Sequence, residues 1–265
     1  MADVVPLVSC LMVTTDRLTL AKRSIRCFIN QTYSRLELVI VCAGDRAYRR
    51  ALEHHLEYQG IGNARVIAAG RRSTLGALRN LSLDAAAGDI VCQWDDDDYH
   101  HSDRVLRQVE HMTRQGARAC FLTDNLHLLE PDRQMFWVDW TRGTSKKEQW
   151  WQLSLGTVMR IRDERFRYAE SGPRAYLGED FDLAADLCRE VPVATLNGMG
   201  WLYVYVFHGR NTCSKEHHYA IPARRSFPNE WIEARCEELR RAVDEYAIPR
   251  PVDVCGAGGP VFRLA

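Results

Sequence analysis

The chain has no excess of charge of either sign. Lysine plus arginine equals aspartate plus glutamate at 35 each, so the formal net charge is zero. That excludes a general field for drawing in nucleic acid or an acidic membrane surface, and any anion must be bound locally. No apolar run approaches the ~20 residues of a membrane-spanning helix, and the amino terminus lacks the basic region and long apolar core of a secretory leader. The nine cysteines are odd in number and include no CxxC pair, which argues against a disulfide frame or a zinc site. Most of them sit in apolar runs and read as reduced core thiols. There is no internal repeat and no long linker. These absences lead to the expectation of a soluble, cytoplasmic protein, and its 265 residues form a single domain with a full core.

What is present is organised around Val91-Cys92-Gln93-Trp94-Asp95-Asp96-Asp97-Asp98-Tyr99, an apolar run that ends in four carboxylates. Two like charges about 4 Å apart repel by roughly 1 kcal/mol in water and about 4 kcal/mol near a protein surface. Something positive must offset this. A hard divalent ion would do so, since magnesium is held by one or two carboxylates and completes its shell with water and phosphate oxygens. The competing reading is a solvated acidic turn. Against it stands the position of the run, directly after Ile90-Val91-Cys92 and before a well-formed helix.

The flanking pattern predicts the frame. Val8 to Val13 reads as a strand covered on both faces, Thr14, Thr15 and Asp16 as its turn, and Leu18, Ala21, Ile25 and Phe28 as one face of a helix. Leu38 to Cys42 is a second strand, which makes a right-handed βαβ unit. The alternation continues with a helix near Tyr48 to Tyr58, a strand from Arg65 to Ala69, and a helix from Leu75 to Ala87 that Ser73 or Thr74 caps and Gly88 ends. Ser102 is expected to cap the helix after the acidic run, and Gly116 to end it. Four such units imply an α/β fold with a doubly wound, mostly parallel sheet, whose ligands bind beyond the carboxyl ends of the strands. Thr14-Thr15-Asp16, Ala43-Gly44-Asp45, Gly70-Arg71-Arg72 and the acidic run all lie at that edge.

Several stretches carry a resemblance: Val8 to Asp16; Gln31-Thr32-Tyr33 with Glu37 to Val41; Gly76-Ala77-Leu78-Arg79-Asn80 followed by Ala87-Gly88-Asp89; and Trp94 to Tyr99. Together they resemble the family 2 glycosyltransferases of the GT-A fold, over about residues 7 to 215. The resemblance implies transfer of a sugar from a nucleotide diphosphate donor, a UDP-sugar first of all, with Mn2+ or Mg2+ as cofactor. It assigns Asp95 to the nucleotide and Asp97 to the metal, two carboxylates that an extended chain would point the same way. Thr14, Thr15, Asp45, Arg72, Arg79 and Asp96 complete the expected nucleotide-sugar site, and Asp96 and Asp98 are open to outer-shell or capping roles. On this basis residues 7–123 form the donor half, 124–215 the acceptor half, and 216–265 a carboxyl-terminal helix and tail.

The second half is less regular. Arg118 to Thr123, Met135 to Val138 and Thr157 to Ile161 read as strands. Between them Trp140 to Trp151 reads as a mobile loop whose tryptophans, Trp140 and Trp150 in particular, either stack on an acceptor sugar or pack as ordinary aromatics. Gly178-Glu179-Asp180-Phe181-Asp182-Leu183 opens a helix, where carboxylates are favoured by about 0.3–1 kcal/mol. By resemblance Asp180 is the general base and Glu179 its orienting neighbour. One base without a second nucleophile fits a single displacement with inversion.

The apolar strand Trp201 to Phe207 ends at His208, where related enzymes supply a histidine to the metal, and an imidazole would tilt the site towards manganese. His100-His101 at a helix start and His217-His218 on a flexible loop are weaker candidates. Asn229 to Ala247 reads as one amphipathic helix, and Val254 to Pro260 as a loose tail.

Two departures from the family stand out. Its first strand usually ends with an aromatic residue near Thr15, and its second in an Asp near Ala43, both of which help hold the base. Asp45, Arg71 or Arg72 are the candidates to compensate. The acceptor class, whether glycan, lipid-linked, peptide or small molecule, is not encoded in any motif. Two rival readings remain. A metal-dependent phosphoester hydrolase would use the Asp run with His100 and His101. A non-catalytic nucleotide-sugar or glycan-binding domain would use the same crevice. A nucleotidyltransferase is disfavoured by the lack of a Gly-rich basic loop after the first strand.

Overall fold

The computed structural model describes residues 5–142 and 148–265. Strand and helix alternate from the start, as β1 (Val8–Thr14), α1 (Leu18–Ile29), β2 (Leu36–Cys42), α2 (Arg46–Tyr58), β3 (Ala64–Ala68), α3 (Leu75–Ala85) and β4 (Ile90–Gln93). Every residue of β2 is buried, and in β1 only Val13 is not, the signature of strands covered on both faces. β1 pairs in parallel with both β2 and β4, and β2 with β3. Four strands therefore stop at one edge. The polar residues that follow them share that edge.

The rest of the chain runs β5 (Tyr99–His100), α4 (Arg104–Arg114), β6 (Ala119–Leu122), β7 (Asp124–Leu129), β8 (Gln134–Asp139) and β9 (Ser154–Ile161). It continues as α5 (Glu179–Glu190), β10 (Val193–Leu196), β11 (Tyr203–Phe207), α6 (Lys215–Arg225), α7 (Asn229–Glu233), α8 (Cys236–Asp244), β12 (Val252–Gly256) and β13 (Gly259–Leu264). The first sheet has the order β10-β6-β9-β4-β1-β2-β3 and the second β13-β12-β8-β7-β11-β5. β9 lies antiparallel between β4 and β6, so its amino end meets the edge where β4 finishes. At Thr123 the chain steps from one sheet to the other. The Thr123 amide and hydroxyl both donate to the Leu196 carbonyl, at 2.9 and 3.1 Å.

The period of two in the strands divides the core. Val8, Cys10 and Met12 pack with Ile25, Leu52, Trp94 and Val109 on one face of the first sheet. Leu11, Val39 and Val91 pack with Leu83, Phe121, Leu183 and Leu187 on the other. A second cluster sets Leu126, Trp137, Val204 and Val254 against Ile232, Leu239 and Val243. All nine cysteines are free thiols.

Five expectations need correction. Asn229 to Ala247 is two helices, because the chain leaves helical geometry at Arg235 (φ −119°) before α8 begins. The supposed loose tail is the β12–β13 hairpin. Its glycines are there for shape: Gly259 has φ +108°, and a Cβ on Gly256 would sit 2.4 Å from Asn229. Ser102 does not cap α4. Its hydroxyl turns to Glu245, and His100 and His101, expected at a helix start, sit on and beside the short strand β5. His217 and His218 lie in α6, not in a loop, and His218 is fully buried.

The Gly76 to Asn80 segment shows why those residues are needed. Thr74 caps α3 through the Ala77 amide at 3.2 Å. Asn80 donates to the Tyr168 carbonyl and to Glu170, and accepts from the Tyr168 amide. A Cβ on Gly76 would lie 1.8 Å from the Ala169 carbonyl oxygen. Gly76→Ala is expected to cost about 2–3 kcal/mol and to lower the thermal midpoint by roughly 5 °C or more. Circular dichroism melts check this, and an unchanged midpoint would show that α3 can slide away from the segment.

Candidate active site

The strand β4 delivers the acidic residues, and a turn at Asp96 and Asp97 separates them. The extended-chain argument that pointed Asp95 and Asp97 the same way therefore fails, and each carboxylate has its own surroundings. Asp95 accepts from Arg79 Nη2 at 3.1 Å and from Gln93 Nε2 at 2.8 Å. Asp96 accepts from Thr14 Oγ1 and Arg17 Nη2, both at 2.6 Å. Asp97 meets Arg17 Nη1 at 2.7 Å and His208 Nε2 at 3.2 Å through the same oxygen, Oδ2. Asp98 is buried and accepts from the Tyr203 hydroxyl and, at 2.8 Å, from the Val206 amide. That makes Asp98 the anchor between the turn and β11.

The backbone of the turn is held as firmly as its side chains. From α1, Ser24 Oγ donates to the Asp95 carbonyl at 2.9 Å, and Arg23 Nη2 donates to the Asp97 carbonyl. Arg23 is itself fixed by Glu130 at 2.7 Å. Arg104, fully buried, donates to the carbonyls of Gln93 and Gly156 at 3.1 and 3.3 Å. A Cβ on Gly156 would fall 2.5 Å from the Tyr203 hydroxyl and 3.3 Å from Asp95 Oδ2.

These surroundings set the charges. Burial, with Asp97 next to it, raises Asp96 to about 7 against the pull of Arg17. Burial likewise pushes Asp98 well above the carboxylate range, reinforced by Asp97 and Asp95. For Asp97 burial is outweighed by His208 and Arg17, which hold it below its ordinary value. Asp180, half-buried at the start of α5, is raised to about 7 by burial and by the charge of Glu179. Arg79 joins the two acidic groups. Its Nε donates to Glu179 at 2.7 Å while Nη2 holds Asp95. Burial works against its charge, but Asp95 and Glu179 keep it protonated.

Of the expected nucleotide residues, Thr14 is buried against Asp96 and the Tyr48 hydroxyl, while Thr15, Asp45 and Arg72 are exposed at the same edge. Asp45 caps α2 through the Tyr48 amide at 2.8 Å. Arg71 pairs with Asp16 at 2.6 Å. Trp150 stacks on Trp151 and packs edge-on against Phe181, next to Asp180. Trp140 instead donates to Asn125 and lies under Arg225, on the second sheet. Residues 143–147 of the loop between the tryptophans lie outside the described residues.

Neither His100 nor His101 faces the carboxylates. His100 stacks on Trp94 and bonds Arg104 and the Asp95 backbone, and His101 meets Glu245 at 3.2 Å. Arg17, Arg23, Ser24, Tyr48 and Gln93 were not anticipated as site residues. For Arg17 the signal was present, as a cation directly after Thr14-Thr15-Asp16.

Asp97 and His208 are the two groups here that could contribute to a divalent-ion site. Adjacent ligands of an octahedral ion with bonds of ~2.1 Å lie about 3 Å apart, and Asp97 Oδ2 and His208 Nε2 are 3.2 Å apart. Among the described residues no group of three or more His, Cys, Asp or Glu side chains is arranged to hold a metal. An ion here would complete its shell with water and phosphate oxygens.

Comparison with known proteins bears on this geometry. The sequence profile of glycosyl transferase family 2 matches residues 9–168, more than half of the chain. The chain belongs to that family. No curated protein matches this family 2 glycosyltransferase in sequence. Among solved structures, S. aureus TarS 1-349 in complex with UDP is similar at a TM-score of 0.59 and 12% identity, covering 92% of this chain and 67% of that one. TarS 1-349 in complex with UDP-GlcNAc gives 0.58 and 12%, over 92% and 68%. The mannosyltransferase PcManGT from Pyrobaculum calidifontis, in complex with GDP-Man and Mn2+, gives 0.54 and 14%, over 94% and 66%. At these identities the likeness is one of fold, the GT-A fold of glycosyltransferases. Among the described residues no helix is long and apolar enough to cross a membrane.

Arg79 is the tie between the two acidic groups, and its loss leaves Asp95 and Glu179 without their shared counter-charge. Arg79→Leu is expected to cost about 3 kcal/mol or more in urea unfolding, with part recovered on adding Glu179→Gln. A cost below about 1 kcal/mol would show that the tie is unimportant.

Proposed function

We propose that the protein transfers a hexosyl group from a nucleotide diphosphate to an acceptor hydroxyl in a single displacement with inversion. The observation that carries this reading is the Arg79 bridge. It ties the carboxylate-rich turn at Asp95 to Glu179, the neighbour of Asp180, a carboxylate raised to about 7.

On this reading the nucleotide lies along the strand ends at Thr14, Thr15, Asp45, Arg72, Asp95 and Asp96. Asp97 and His208 would hold a divalent ion, Mn2+ before Mg2+ because of the imidazole. When bound, the ion neutralises the diphosphate as it departs. The ligands of the fold neighbours, UDP, UDP-GlcNAc and GDP-Man with Mn2+, support a donor of this class, with uridine the first candidate. Asp180 takes the proton from the acceptor hydroxyl as its oxygen attacks the anomeric carbon. The bond to the diphosphate breaks, and the electron pair leaves with the phosphate oxygen. Burial, with the charge of Glu179 held beside it by Arg79, keeps Asp180 poised near neutral pH, where a general base is most effective.

The acceptor would approach over the Trp150, Trp151 and Phe181 cluster, while Trp140 is better placed to support that side than to touch substrate. The whole chain acts as one catalytic domain, residues 7–123 on the donor side and 124–215 on the acceptor side. The hydrolase alternative finds less support, since His100 and His101 are committed to packing and ion pairs.

Asp97→Ala is expected to abolish metal-dependent nucleotide binding, whereas Asp180→Asn retains binding and loses at least 100-fold in turnover. A thermal-shift panel of UDP, GDP, TDP and CDP with manganese, magnesium or chelator reads the first. A nucleotide at 100 times its Kd adds about 2.7 kcal/mol. Equal loss of binding in both variants would remove the role given to Asp180. Because a base must be deprotonated to act, kcat/KM should fall about tenfold per pH unit below about 7 in the wild type, following Asp180 in the free enzyme. A flat profile from pH 5 to 8 would count against it.

A further inference from the structure

Three arginines touch the acidic turn, and they are not held alike. Arg79 is locked between Asp95 and Glu179, and Arg23 between Glu130 and the Asp97 carbonyl. Their side chains are 11% and 16% exposed. Arg17 is 32% exposed, and its guanidinium grips only the two carboxylates Asp96 and Asp97 among the described residues. It sits just beyond β1, after a left-handed residue, Asp16 (φ +51°). Its Nη1 lies 2.7 Å from Asp97 Oδ2, the same oxygen that faces His208 at 3.2 Å.

We propose that Arg17 is the resident cation of the acidic turn: it competes with a divalent ion for Asp97 and moves to the donor diphosphate when nucleotide arrives. This rests on the reading that Asp97 and His208 hold the metal. A guanidinium and a divalent cation on one carboxylate oxygen repel each other, so each weakens the other there. The fork that spans two carboxylates also fits phosphate oxygens in a bidentate manner. An arriving diphosphate therefore gives Arg17 an equivalent anion and frees Oδ2. Thr14 fixes Asp96 from its other oxygen, so the carboxylate stays in place when the arginine leaves. Metal uptake thus waits on nucleotide, and the acidic turn is never left without positive charge.

Binding of Mn2+ to the full chain, followed by the electron paramagnetic resonance of the free ion with and without UDP or GDP, tests this. Wild type is expected to bind Mn2+ at least tenfold more tightly when nucleotide is present. Arg17→Ala should bind Mn2+ at least tenfold more tightly than wild type without nucleotide, and gain less when it is added. Arg17→Lys, which keeps the charge but loses the fork, should tighten Mn2+ binding about threefold without nucleotide. If Arg17→Ala does not fold, Arg17→Lys decides alone. The same Mn2+ Kd in wild type and variants without nucleotide would overturn the role of Arg17 and leave the metal site standing. No Mn2+ binding to wild type even with nucleotide would overturn the metal site itself, and this proposal with it.

Discussion

Four consecutive carboxylates can share one turn only if cations and hydrogen-bond donors around it compensate them, and the surrounding architecture is arranged to supply these. The helix α1 gives Ser24 and Arg23 to the backbone of the turn, the residue before it gives Arg17, α3 gives Arg79, and β11 gives the Val206 amide. They come from α1, the turn before it, α3 and β11, so the acidic turn is a meeting point of the fold rather than an appendage to one strand. Coulomb repulsion that would open an isolated Asp run is converted here into a reason for distant segments to stay together.

The alternating half of the chain was readable because its strands are buried on both faces and its helices show one apolar stripe. β1, β2 and β4 appear where the apolar runs fall, and Asp95 to Asp98 lie at the strand end as expected. The later elements were harder for a physical reason. In β12 and β13 the glycines serve a turn and a close approach to Asn229, which a composition-based reading takes for looseness. The break between α7 and α8 carries neither proline nor glycine, and the apolar spacing runs through it.

At the site itself, the sequence showed that the acidic run needed positive charge but not which group supplies it. An ion was the natural first thought, yet a guanidinium after β1 already occupies much of that role. Sequence spacing cannot bring Arg17 to Asp97, eighty positions away, or Arg79 to Glu179, one hundred positions away. These pairings exist only once β1 and β4 are neighbours and α5 has folded over the first sheet. Tyr48, on α2, likewise reaches Thr14 with its hydroxyl, a link between α2 and the end of β1 that spacing does not reveal.

The reversed direction of β9 has its own consequence. Its neighbours bring their last residues to the crevice, whereas β9 brings its first, so the segment entering the sheet abuts Asp95 and Tyr203 at Gly156. What it contributes there is vacant volume, which the Tyr203 phenol fills on its way to Asp98. A bulkier residue at that position would displace a hydroxyl that fastens the acidic turn to the second sheet and would press on Asp95, so the disturbance would reach both layers at once.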